Sequence, residues 1–230
     1  MEEGISAEIS EAVETIKTAG KLYLANWYPF LIIGLGFGIL NELTNAMMSI
    51  FNTGSFGIAL VVNIFVSSFL TMAALNVSLQ IVRQEKVNLG RAFSDIRGKY
   101  LLYISVSLLS AFAIVTGFFL LILPGIYFVT VFYFADLYVM MGKNTTMDAF
   151  KSSIHFVKGV FRQVFLCLLL IVCLILIPMA ICQNIQSQHL LLSKILMLIL
   201  SIFAAPFASL GKVVLHERVK KIKNKLMIKE

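Results

Sequence analysis

From Leu101 to Met141 this 230-residue chain carries one side chain that is charged at neutral pH, Asp136. A water-soluble fold has no use for so long an uncharged stretch, and a single membrane crossing cannot absorb it. As one helix, residues 100–141 would be roughly 63 Å long, about twice the thickness of bilayer hydrocarbon. The stretch must turn back, and its strongest punctuation lies in "LLILPGIYFVTVFY", Leu120–Tyr133. Proline disfavours helical geometry in the residue before it, and glycine adopts turn conformations that other residues resist. Pro124 and Gly125 therefore predict a tight turn between two spans.

Composition extends this reading to the whole chain. It is 59% hydrophobic and 13% charged, whereas a soluble domain carries about 25% charged residues. The predicted fold class is all-α: a polytopic membrane helical bundle, a single integral membrane domain of six transmembrane helices in three hairpins. The spans fall at about 28–50, 56–82, 100–122, 124–141, 161–182 and 190–215, each near the length that crosses hydrocarbon.

Charge predicts the orientation. The formal net charge is +7, and eighteen of the nineteen lysines and arginines fall in alternate segments. Two lie before the first span, five between 83 and 99, four between 142 and 162, and seven from Lys212 onward; Lys194 alone lies in the other set. With both termini in the cytoplasm this is the sorting of the positive-inside rule, and it accounts for the net charge without nucleic acid as a partner. The acidic start "MEEGISAEISEAVE" lacks the positive region of a cleavable signal peptide, so the first span is expected to direct insertion.

Short amphipathic helices are expected at about 5–20, 88–98 and 145–158, each leading into a hairpin and lying in the cytoplasmic interface. Ala12-Val13, Ala92-Phe93 and Ala149-Phe150 recur in them, which suggests three tandem units. The first carries Ile5, Ile9, Val13 and Ile16 on one stripe, directed to lipid or to the bundle.

The segment "LPGIYFVTVFYFADLYVMMGKNTTMDAFKSSIHFVKG" resembles bacterial six-span inner-membrane proteins related to the membrane domain of glycerophosphoryl diester phosphodiesterases. Pro124, Gly125, Ile126, Ala149, Phe150 and Ser153 carry the resemblance. It implies a helical bundle in a bacterial plasma membrane. It implies no phosphodiesterase activity, because that chemistry belongs to a separate soluble domain in the fused proteins.

Catalytic patterns are missing from the sequence. His155, His189 and His216 form no metal-binding spacing, and Cys167, Cys173 and Cys182 share one apolar segment. The expectation is a protein that is not an enzyme and has no cofactor. "GLGFG", from Gly34, lies inside a span with no strand before it, so it is no nucleotide loop. Gly34 and Gly38, four apart, share a face that admits a neighbouring helix. Asp136, Glu42, Asn63, Asn76 and Lys212 are candidates for an intramembrane polar site, or, for Asp136 with Lys212, for a structural pair. Pro206 is expected to kink the sixth span. The basic tail 216–230 offers Lys220, Lys221, Lys223 and Lys225 to anionic lipid. The function expected is interaction with membrane lipids or a membrane-protein partner; the alternative is a small transporter with a polar path. No motif sets an oligomeric state.

Overall fold

The computed structural model describes residues 2–50, 56–185 and 190–227. Among these every regular element is helical. In chain order they are α1 (Glu2–Ala25), α2 (Trp27–Ile50), α3 (Phe56–Val82), α4 (Leu89–Ser94), α5 (Tyr100–Leu120), α6 (Ile122–Phe132), α7 (Ala135–Met140), α8 (Thr146–Val157), α9 (Phe161–Ile185) and α10 (Leu190–Met227). Six segments are long and apolar enough to cross a membrane: α2, α3, α5, α6 with α7, α9 and α10. Large apolar side chains point outward along them, Phe119 at 90% exposure and Leu101 at 77%, as a hydrocarbon solvent permits and water does not. The chain is a multi-pass membrane protein.

The chain packs as two units. One holds the described residues up to Ala19, Asp95–Ile171, and those from Gly211 on; the other holds Gly20–Ser94 and Val172–Leu210.

In the first unit α5 and α6 form the hairpin, but the sequence placed its break three residues late. The chain turns at Leu121, which is extended at φ −164° and ψ 151°. Pro124 and Gly125 lie in the first turn of α6. There proline's missing N–H removes a donor that would have no intrahelical partner. Gly125 serves close approach rather than turning. A Cβ on it would stand 2.4 Å from Phe118 Cγ, and one on Gly117 would stand 3.0 Å from the Gly125 backbone. α8 starts at a capping pair: Asp148 N–H donates to Thr145 Oγ1 at 3.1 Å, and that hydroxyl donates to Asp148 Oδ2 at 2.6 Å. It packs on α6 through Ser153, whose hydroxyl donates to the Val131 carbonyl at 2.6 Å.

α1 turns the face beside its apolar stripe inward, which leaves the stripe directed outward, the first of the two directions open to it. Its buried residues in this unit are Ala12, Thr15 and Ala19, whereas Ile9 and Val13 of the apolar stripe are open. Its acids are clasped from other helices. Arg162 forks onto Glu8 at 2.5 Å. Gln163 donates to Glu11 at 2.9 Å. Arg218 pairs with Glu14 and donates to Thr15 Oγ1 at 3.1 Å. Such charge-assisted forks fix position more firmly than an apolar stripe does where lipid competes for apolar contact.

In the second unit α2 runs against α10. A Cβ on Gly34 would lie 2.0 Å from the Ile202 carbonyl oxygen, so only glycine fits; one on Gly38 would press on Leu198 at 3.0 Å. Tyr23 stacks on Phe30 with ring centroids 4.8 Å apart. Burial pushes its hydroxyl up to about 12. α4 is much shorter than the 88–98 helix expected from sequence. Asn88 caps it by accepting from Arg91 N–H at 3.0 Å. Residues 95–99 that follow it are turn.

Candidate functional site

The C-terminal part of α10, α7, α8 and the loops after them bring lysines together in the first unit. α10 carries Lys212, His216, Lys220 and Lys223 at intervals of four, four and three residues, which is one helix face. Each meets a different environment.

Lys212 is paired deep in the unit. Its Nζ lies 2.6 Å from Asp136 Oδ2 and 4.8 Å from the centre of the Tyr133 ring. The other oxygen of Asp136 accepts the Leu137 N–H at 2.8 Å. The carboxylate is thus satisfied by a backbone donor and an ammonium.

One turn on, His216 is 3% exposed among aromatic rings. It stacks on Phe156 with centroids 4.4 Å apart, meets Phe134 edge-on, and shares a 3.3 Å hydrogen bond between Nε2 and the Tyr138 hydroxyl. The sequence grouped His216 with the basic tail; it is instead a packing residue.

Above Phe156 and Tyr138 opens a cavity of about 740 Å³, within the range that holds small-molecule ligands. Lys143, Lys158, Lys220 and Lys223 line it, with Ser152 and His155, and among the described residues no carboxylate faces it. Lys223 is pinned: its Nζ donates to the carbonyls of His155 at 3.3 Å and Lys158 at 3.1 Å, and sits 5.3 Å from the Phe156 ring centre. These are carbonyls at the C-terminus of α8, the end that attracts a cation. Four ammonium groups line the cavity and no carboxylate of the described residues does, so the local field favours an anion.

A second cavity of about 460 Å³ shares Lys158 and Gly159 with the first. Its other walls are apolar: Tyr127 and Val131 of α6, Ile154 and Val157 of α8, and Phe161, which stacks on Tyr127 at 5.8 Å. Gly159 has φ +88°, a left-handed conformation that favours glycine and turns the chain from α8 into α9 between the two cavities.

The structure brings together only part of what the sequence singled out. Asp136 meets Lys212 in the first unit. Glu42, Asn63 and Asn76 belong to the second and serve separate ends. Asn63 donates to the Thr44 hydroxyl at 2.9 Å, and Asn76 to the Ala92 carbonyl at 3.1 Å, which ties α4 to α3; Glu42 is exposed. Of the four tail lysines, Lys220 and Lys223 line the basic cavity and Lys221 points away, exposed; the Lys225 side chain lies outside the described residues. Lys143 and Lys158 were not foreseen as ligands. Their signal is a lysine in the loop directly after each of two short helices.

No family model matches the chain, and comparisons with curated proteins and with solved structures find no match. Among the described residues no cluster of three or more histidine, cysteine or acidic side chains has metal-binding geometry.

Proposed function

We propose that this is a bacterial inner-membrane protein with both ends in the cytoplasm, and that it works by binding an anionic, phosphate-bearing ligand rather than by catalysis. The observation that carries the reading is the cavity lined by Lys143, Lys158, Lys220 and Lys223, with no facing carboxylate among the described residues. Under the lysine sorting this cavity opens on the cytoplasmic side, where the membrane surface is rich in anionic headgroups. Each basic residue near such a surface contributes about 1 kcal/mol of attraction.

The test is a thermal shift on the detergent-purified protein with glycerol phosphate, and with glycerol as the neutral control. Glycerol phosphate should raise the melting temperature, and the rise should shrink as salt screens the lysines. The variant with Lys143→Gln, Lys158→Gln and Lys220→Gln should lose the rise. These side chains leave the aromatic packing below untouched, so its own melting temperature should stay near that of the wild type. An equal shift in wild type and variant would remove the basic cavity as the binding site.

A further inference from the structure

The two adjoining cavities form one amphiphilic surface. The first is basic, and the second is walled by aromatic and aliphatic side chains. Lys158 and Gly159 stand between them and line both. A free anion would use the first alone and would leave the second without an occupant. A membrane lipid has both halves, a charged headgroup joined to a hydrocarbon chain, and it already lies beside a protein that crosses the bilayer.

We propose that the paired cavities hold one anionic lipid, with its phosphate among Lys143, Lys158 and Lys220 and the start of one acyl chain along Tyr127, Ile154 and Phe161. This rests on the anion-binding reading of the basic cavity. Charge selects the headgroup, because four lysines line the cavity and no acid among the described residues lines it with them. Exposure selects a chain over a packed side chain: Tyr127 is 48% and Ile154 40% exposed, open apolar surface directly beside a charged site. Lys223, held on the α8 carbonyls, keeps the α8 end and the α10 face at a fixed spacing. The headgroup therefore meets a preformed site.

Three probes separate the sources of the phosphate: dioctanoyl phosphatidic acid, glycerol phosphate, which is the same headgroup without chains, and dioctanoyl phosphatidylcholine, the same chains with a zwitterionic head. Binding to the full chain in detergent is followed by native mass spectrometry and by thermal shift. The phosphatidic acid should bind at least about tenfold more tightly than glycerol phosphate, the effect of burying roughly two methylene groups. Ile154→Asn should abolish that margin while keeping the affinity for glycerol phosphate. Ile154 is partly exposed, and an unchanged melting temperature of the unliganded variant verifies its fold. Equal affinity for phosphatidic acid and glycerol phosphate would overturn the lipid proposal and leave the anion site standing. An Ile154→Asn variant that keeps the full margin would overturn the placement of the chain. Phosphatidylcholine binding as tightly as phosphatidic acid would overturn the selection of an anionic headgroup, and no binding of either phosphate probe would overturn the anion site together with the lipid.

Discussion

Asp136 is the single charge in the segment between Leu101 and Met141, and its surroundings explain how a carboxylate persists there. Desolvating an ion costs several kcal/mol unless its remaining lone pairs are occupied. Lys212 at 2.6 Å and the Leu137 N–H at 2.8 Å occupy them. The pair is a cross-link between α7 and α10, and it should behave as one. Asp136→Asn keeps the shape but strands the Lys212 ammonium, and should cost about 3 kcal/mol. Lys212→Gln should cost a similar amount. The double variant should lie closer to wild type than the sum of the two, with a coupling of about 1–3 kcal/mol. Thermal unfolding of the four proteins in detergent measures this, and strict additivity would mean that the contact stabilises nothing. His216, one turn away, makes the complementary point. A histidine beside Glu217 and Arg218 reads as surface in a sequence, yet three aromatic rings enclose it.

The α5–α6 hairpin assigns different tasks to its two unusual residues. Gly125→Leu would drive a side chain into Phe118, against which even a Cβ would stand at 2.4 Å. It should destabilise the hairpin by about 2 kcal/mol or more. Pro124→Ala only restores a first-turn N–H and should cost less than about 1 kcal/mol. Melting temperatures of the two variants give the order, and a more damaging Pro124→Ala would return the turn to proline. The six apolar segments were legible in the sequence because run length and missing charge suffice to mark a span. The position of the break was not. It is set by Gly117 meeting Gly125 across the hairpin, a contact between helices that local turn preference does not encode. The sequence left the apolar stripe of α1 open between lipid and the bundle, and contacts between helices decide it. In lipid, a helix is held by small residues and polar forks, so the apolar stripe that marks the buried face of a soluble helix points elsewhere. Half of the basic cavity was readable from the tail, in Lys220 and Lys223. Lys143 and Lys158 join it only through the way α8 folds back on α6.

For the whole molecule, lysine and arginine placement should dictate orientation. Single cysteines at Asn88 and Asn144, in a cysteine-free background, should resist an impermeant thiol reagent added outside intact cells. Cysteines at Asn52 and Ser187, which lie outside the described residues, should react. Labelling at Asn88 would reverse the inferred orientation and with it the side on which the basic cavity opens. The α5–α6 turn bears on how such a chain is made. Leu120, Leu121, Ile122 and Leu123 are all apolar and exposed, and between α5 and α6 there is one residue rather than a loop. The backbone stays bonded through it, Leu121 N–H to the Gly117 carbonyl at 3.0 Å and Gly125 N–H to the Leu121 carbonyl at 3.3 Å. During biosynthesis this hairpin therefore asks nothing hydrophilic to be carried across the bilayer. In the proposed orientation both of its arms would enter from the side on which they are synthesised, and the tip need travel only as far as hydrocarbon extends.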